Sequence, residues 1–262
     1  MSTIKDVARL ANVSVATVSR VMNNSPKASA ASREVVLKAM AELGYTPNAN
    51  ARALVSQTCD TMGVVVGDVA DHFFGALVKG VAAVAVEQGL HLLMGNGFHR
   101  AQQEREAIEL LIGKRCEALV VHSKALGDEE LVDYALRAPG MVLINRDIPS
   151  LRGRCIALNN RQGAATATRH LLDLGHRHIA FLSSDHAIED ALLRHQGYQD
   201  ALAEAEVFAD PELVESGMPN EEGGERAMLN LLAKGLPITA VVAYNDAMAA
   251  GAISVLADNG LK

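Results

Sequence analysis

The chain has 262 residues, more than one compact domain usually holds, which predicts a small domain joined to a larger one, or two similar lobes. Apolar residues make up 49% and charged residues 21%, a globular profile, and no apolar run reaches the ~18–20 residues of a membrane span. The net charge of −7 is uneven: residues 1–58 hold seven cations against three anions, a basic module of +4 ahead of an acidic body of −11. Such asymmetry suits a chain whose front end alone meets a polyanion, although +4 is small enough to arise by chance. The N-terminus "MSTIKDVARL" lacks the uncharged apolar stretch of a signal peptide, and Cys59, Cys116 and Cys155 are scattered. Both features predict a cytoplasmic protein with reduced thiols, without a disulfide frame or a zinc site.

In chain order, Thr3 with Asp6 three residues later is a capping-box pattern. Ile4, Val7, Ala8 and Ala11 then form the stripe of a short amphipathic helix. Asn12 tolerates the left-handed backbone of a tight turn, and Val13 can plug the angle that follows. Ser14 is placed to cap a second helix whose Val18, Val21 and Met22 face inward. That leaves Val15, Ala16, Thr17, Ser19, Arg20 and Asn23 at its start or on its outer side. Ser29 caps a third helix in "AASREVVLKAMAEL", with Val36, Met40 and Leu43 on one face and Gly44 as terminator.

This succession predicts a helix-turn-helix, with a plain helical bundle as the alternative. A helix that enters the major groove needs a slim outer face, which small hydroxyl residues, Val and Ala provide. Arg20 can address guanine with two hydrogen bonds, and Val15 and Ala16 can touch thymine methyls. Ser and Thr hydroxyls can bond phosphates, and Lys27 can add a sequence-independent charge.

"TIKDVARLANVSVATVSRVMNN", followed by "YTPNANARAL", resembles the N-terminal module of the lactose/galactose repressor family of bacterial transcription regulators. The pattern D-V-A-x-x-A-x-V-S-x-x-T-V-S-R-V matches without a gap, with Asn12 where the family usually has Gly. The resemblance implies base-reading positions at Val15, Ala16 and Arg20, and phosphate contacts at Ser14, Thr17, Ser19, Asn23 and Ser29. It further implies that "TPNANARALVSQT" is a hinge helix in the minor groove. Asn48, Ala51 and Arg52 would lie along it, and Leu54 would wedge between base steps. Composition alone allows either a tether or a short helix that folds only when docked.

From residue 61, strand-like runs alternate with helical segments. "TMGVVVGDV", "HLLMGNG", "CEALVVHS" and "MVLINR" come first, and after "CIALNN" the same alternation restarts with "HIAFLSS", "ELVES" and "AVVAYN". Helices of 10–16 residues between strands predict βαβ units on parallel sheets. The fold class is therefore α/β: an all-α helix-turn-helix (1–45), a hinge (46–60) and a two-lobed core of doubly wound sheets (61–160 and 161–262). A cleft is expected at the carboxyl ends of the strands. By resemblance this core is similar to periplasmic sugar-binding proteins.

Motifs for catalysis and nucleotide binding are missing: no G-x-G-x-x-G after the first strand, no Walker loop, no G-x-S-x-G and no H-E-x-x-H. No enzyme, cofactor or metal is predicted; Ser184, Asp185 and His186 read as a polar loop, and His170, His176 and His178 as solvated or capping. Phe73 and Phe74 can stack on a pyranose, with core packing at a helix start as the alternative for at least one of them. Asn145, Arg146, Arg194, Asn245 and Asp246 are the amide, guanidinium and carboxylate types that chelate hydroxyls. Among them the aromatic after the first strand, the Arg of R-x-x-G and the Asn-Asp pair match the family's effector positions.

Similarity in "SVATVSRV", "NSPKAS", "PNANARAL", "GMVLINR" and "CIAL" is greatest to the galactose branch of the family. It implies a homodimeric repressor on a near-palindromic operator, relieved by D-galactose or an analogue, cytoplasmic and nucleoid-associated when bound. Family members continue with another strand carrying a G-[FY]-D-D-type motif, a last crossover and closing helices. The second lobe is thus expected to be incomplete here, as in a fragment or a truncated, non-inducible repressor. A sugar receptor without DNA function is the alternative from another class.

Overall fold

The computed structural model describes residues 2–23, 25–45 and 59–261, without the side chain of Cys59. It divides into two compact units, Met1–Cys59 and Asp60–Lys262. The expected hinge residues Asn48, Ala51, Arg52 and Leu54 lie outside the described residues. The expected hinge boundary at 60 is corrected, because Cys59 and Asp60 already belong to the first strand, Cys59–Val66.

The first unit contains α1 (Ile4–Leu10), α2 (Val15–Met22) and α3 (Ala30–Glu42). Each start is capped as its residues dictate. Thr3 Oγ1 accepts from the Asp6 N–H while the Asp6 carboxylate accepts from the Thr3 N–H. Ser14 accepts from the Thr17 N–H at 3.1 Å, and Ser29 from the Ser32 N–H at 3.2 Å. Each cap is worth about 1 kcal/mol. Asn12 has φ +51°, which lets α1 end and α2 begin three residues later. Val7, Ala8, Val18, Val21, Ala28, Val36 and Ala39 form the core, with Ile4, Ala11, Val13, Met22, Met40 and Leu43 packed around them.

The second unit is built on two sheets. The first holds β1 (Cys59–Val66), β2 (His91–Asn96), β3 (Cys116–His122), β4 (Met141–Ile144) and β5 (Cys155–Ile156) in the order β2-β1-β3-β4-β5. β1 pairs with β2 and β3 with β4 in parallel register, with Val65 opposite Gly95 and Val121 opposite Leu143. The intervening helices are α4 (His72–Glu87), α5 (Ala101–Gly113) and α6 (Asp128–Arg137). One face packs Val65, Leu119, Val121 and Leu143 against Ile108, Leu111, Leu131 and Tyr134 of α5 and α6. The other buries Val64 and Val66 against Phe74, Leu77 and Val78 of α4. Strands covered on both sides read as continuous apolar runs rather than alternating ones.

The second sheet holds β6 (Ile179–Ser184), β7 (Val214–Gly217) and β8 (Ala240–Ala243) in the order β7-β6-β8, all parallel. α7 (Asn160–Asp173) and α8 (Glu189–Glu204) cover one face through Ala165, Leu172, Tyr198 and Leu202; α9 (Glu221–Ala233) and α10 (Asp246–Asp258) cover the other through Met228, Leu231, Met248 and Val255. α7 and α8 pack closely at Gly197, where a Cβ would stand 2.0 Å from the Arg161 carbonyl oxygen. The run "CIALNN" yields only a two-residue strand, because Asn159 turns away to cap α7 by accepting from the Gln162 N–H.

In each sheet the strand order reverses direction around an inner strand, at β1/β3 and at β6. Loops leaving the carboxyl ends on either side of such a reversal diverge and open a crevice. No described helix is long and apolar enough to cross a membrane.

Candidate functional site

In the first unit, burying Val18 and Val21 turns the opposite side of α2 outward. Val15 is 41% exposed, and Ala16 and Arg20 are exposed with it. Ser14, Asn23, Lys27 and Ser29 are exposed, while Thr17 and Ser19 are half-buried. No acidic residue occupies the first turn of α2, and the side chains of Arg20 and Lys27 have no ion-pair partner among the described residues. A cation without an intramolecular partner on a slim helix face can answer a phosphate or a guanine without first breaking a bond. The hydroxyls of Ser14 and Ser29 are engaged in caps: Ser14 Oγ lies 2.9 Å from Thr17 Oγ1, and Ser29 donates to Ser32 at 2.9 Å. Any phosphate contact there would add to the cap, with the helix-start N–H groups as further donors.

In the second unit the structure redistributes the seven expected effector residues. Phe73 is 48% exposed, but Phe74 is 5% exposed and belongs to the core beneath β1; its ring edge meets His122 at 4.6 Å between centroids. Phe74 is therefore corrected from a stacking platform to the floor that supports one, because residues near a helix start must fill the space over β1. Arg146 is turned into its own lobe, donating to the Leu126 carbonyl and the Asp128 carboxylate. Asn245 caps α10, accepting from the Met248 N–H and donating to the Pro219 carbonyl at 2.8 Å each, and Asp246 is exposed beside it. Arg194 lies over the Tyr244 ring at 4.4 Å, bonds the Tyr244 carbonyl and donates to Asn160 at 2.8 Å. Asn145, at φ +57°, donates to Asp190 of the opposite lobe at 3.3 Å.

The residues that converge between the lobes include several that sequence reasoning missed. His122 ends β3, His99 follows β2, and His186 follows β6 in the other lobe. Their rings are spaced 5.5 Å (His99–His122) and 5.2 Å (His99–His186) between centroids. Gly67 allows this packing, since a Cβ there would stand 2.7 Å from the His99 ring. The Nδ1 atoms of His99 and His122 and Oδ1 of Asn96 are buried with no hydrogen-bond partner among the described residues. Burial holds His122 far below the ordinary imidazole value, at about 3, helped by His99, Lys124 and Arg146. Burial and then His186 lower His99 as well. At neutral pH His122 is thus an uncharged imidazole, able to donate and accept one hydrogen bond each, as a hydroxyl ligand requires. One signal was available in advance: Asn96 and His122 are polar residues ending apolar runs, "HLLMGN" and "CEALVVH". No group of His, Cys, Asp and Glu among the described residues is arranged to hold a metal ion.

The family model for bacterial regulatory proteins of the lacI family matches residues 3–48, and that for periplasmic binding proteins and the sugar binding domain of the LacI family matches residues 59–262. The chain belongs to the lacI family. This member is 60% identical over 261 residues to the HTH-type transcriptional regulator GalR of Escherichia coli (strain K12), covering 100% of this chain and 76% of that protein. It is 54% identical to the HTH-type transcriptional regulator GalS of Salmonella typhimurium, covering 100% of this chain and 77% of that one. Among solved structures, the lac repressor dimer bound to operator and the anti-inducer ONPF superposes with a TM-score of 0.83 at 28% identity, covering 100% of this chain and 79% of that one. A sugar-binding LacI-family regulator from Escherichia coli, complexed with phosphate, gives 0.69 at 30% identity over 78% and 75% of the two chains. This lacI-family chain is accordingly a DNA-binding transcriptional regulator with a sugar-binding type of core.

Proposed function

We propose that the protein is a sequence-specific repressor of carbohydrate genes, released from DNA by a small sugar, D-galactose or a close analogue. Val15, Ala16 and Arg20 read bases; Ser14, Thr17, Ser19, Asn23, Lys27 and Ser29 hold phosphates. Residues 46–58 form the hinge and linker ahead of β1, with Leu54 as its minor-groove wedge beside Asn48, Ala51 and Arg52. Two copies read a near-palindrome in the cytoplasm, and the protein is nucleoid-associated while bound. In the cleft between lobes 61–160 and 161–262, Phe73 stacks on the sugar, and Asn145, Arg194, Asn245 and Asp246 lie around it.

The observation that carries this reading is the pairing of two features in one chain: an Arg20 without an ion-pair partner among the described residues on a slim exposed helix, and buried polar atoms of Asn96, His99 and His122 left unsatisfied among those residues in a crevice. A buried polar atom left without a partner costs about 1–3 kcal/mol, a cost that a hydroxyl-rich ligand removes. Sugar binding acts on the operator only if the ligand prefers one lobe arrangement to the other.

A gel-shift titration on a palindromic site, with and without D-galactose, tests the reading. Binding should survive unspecific competitor DNA and weaken with the sugar; binding that any competitor abolishes would sink the repressor assignment. On circularly permuted probes, Leu54→Ala should reduce operator bending, and unchanged bending would remove the wedge.

A further inference from the structure

The cleft is crossed by an ion pair that none of the roles above uses. Lys124, just past β3 in the first lobe, has a side chain only 1% exposed. Its Nζ lies 2.6 Å from Oδ1 of Asp190, at the start of α8 in the second lobe, whose side chain is 5% exposed. Nζ also donates to the backbone carbonyl of Asn145, while Asn145 Nδ2 donates to the other oxygen of Asp190 at 3.3 Å. Both oxygens of one lobe's carboxylate are thus held by the opposite lobe. Glu189, at 4.0 Å from Nζ, is mostly exposed and contributes less.

Both ends of this bridge are held in place. The segment carrying Lys124 is clamped by Glu104, a buried carboxylate that accepts from Ser123 Oγ at 2.5 Å and from the N–H groups of Lys124, Ala125 and Leu126 at 3.1–3.2 Å. Asn145 holds a left-handed backbone that non-glycine residues rarely adopt, and its carbonyl is aimed at Nζ. Asp190 lies in the first turn of α8, where the helix dipole favours an anion and no side chain caps the end.

We infer that the Lys124–Asp190 pair, closed into a ring by Asn145, is the strut that holds the two lobes in their apposed arrangement and thereby sets the affinity of the cleft for its ligand. The physical reason is asymmetric. An intact buried pair satisfies both charges, but removing one partner strands the other in a dry interface. The stranded charge regains water only if the lobes part. A ligand gripped from both sides then loses one wall. Lys124 and Asp190 act as positioning residues, and the affinity part of the inference rests on the sugar-cleft reading.

The test uses the full chain with spin labels introduced as non-native amino acids at the exposed positions Lys114 and Arg226, one on each lobe. Lys124→Met and, separately, the near-isosteric Asp190→Asn should lengthen and broaden the interlobe distance without ligand. Each should weaken D-galactose binding by about tenfold or more in calorimetry, within the usual range of coupling between sites. Lys124→Met combined with Asp190→Leu removes both charges and should return the distance towards that of the parent, which a merely space-filling role would not do. Single variants that keep the parental distance distribution would overturn the strut, as would a double variant as open as the singles. If the unaltered chain binds no D-galactose, the distances alone decide: lengthening upholds the strut while the ligand assignment fails. Galactose binding with unmoved distances removes the strut and leaves the ligand assignment standing.

Discussion

Arg20 works because of what its neighbours lack. Val15 and Ala16 keep the helix surface low, no carboxylate in the first turn of α2 competes for the guanidinium, and Val18 and Val21 hold the helix from behind. A bidentate arginine–guanine contact discriminates by about 1–3 kcal/mol, whereas a lysine on a phosphate adds affinity without preference. Arg20→Ala should therefore erase preference at one base pair per half-site in competition gel shifts, and Lys27→Ala should weaken all sequences alike and flatten the salt dependence. Equal loss of specificity from both changes would contradict the division of roles. Phe73 and Phe74 make the same point about neighbourhood. Adjacent and chemically identical, one is half-exposed and the other lies in the core, because consecutive positions on a helix face about 100° apart.

At the scale of elements, α2 is defined by its ends more than by its length. Eight residues form no stable helix alone, so the Ser14 cap and the left-handed Asn12 carry much of its definition. Ser14→Ala should lower the unfolding free energy of this unit by about 1 kcal/mol. Ser14→Asp should retain the cap and the stability yet weaken operator binding, since it sets a second anion against phosphate. Thermal melts and gel shifts on both variants check this; an Asp variant that binds as well as Ser would remove Ser14 from the phosphate contacts. These signals are local, which is why helix starts were readable from Thr3, Ser14 and Ser29 alone. The junction "CIALNN" was less legible: Cys155 and Ile156 form a short strand while Asn159 and Asn160 serve as cap and first residue of α7, a division that only the packing of that helix decided.

For the whole molecule, the buried imidazole of His122 couples folding of the core to pH. Held at about 3 in the folded chain against an ordinary 6.5, it takes up a proton only on unfolding. Its contribution is complete above pH 6.5 and is lost as pH falls towards 3, by up to about 1.4 kcal/mol per pH unit. Urea unfolding between pH 7 and 4 should show this acid limb, and His122→Asn should make it shallower; an unchanged slope would mean that other groups carry it. By itself the sequence determined the helix-turn-helix, the alternation of strands and helices and the outward face of α2, because periodicity, caps and turn residues act over a few positions. Only the tertiary structure decided that Phe74 is core, that Arg146 turns into its own lobe and that Lys124 meets Asp190. Those pairings join residues up to 66 apart in the chain, and which partner satisfies a buried charge depends on how the sheets bring their strand ends together.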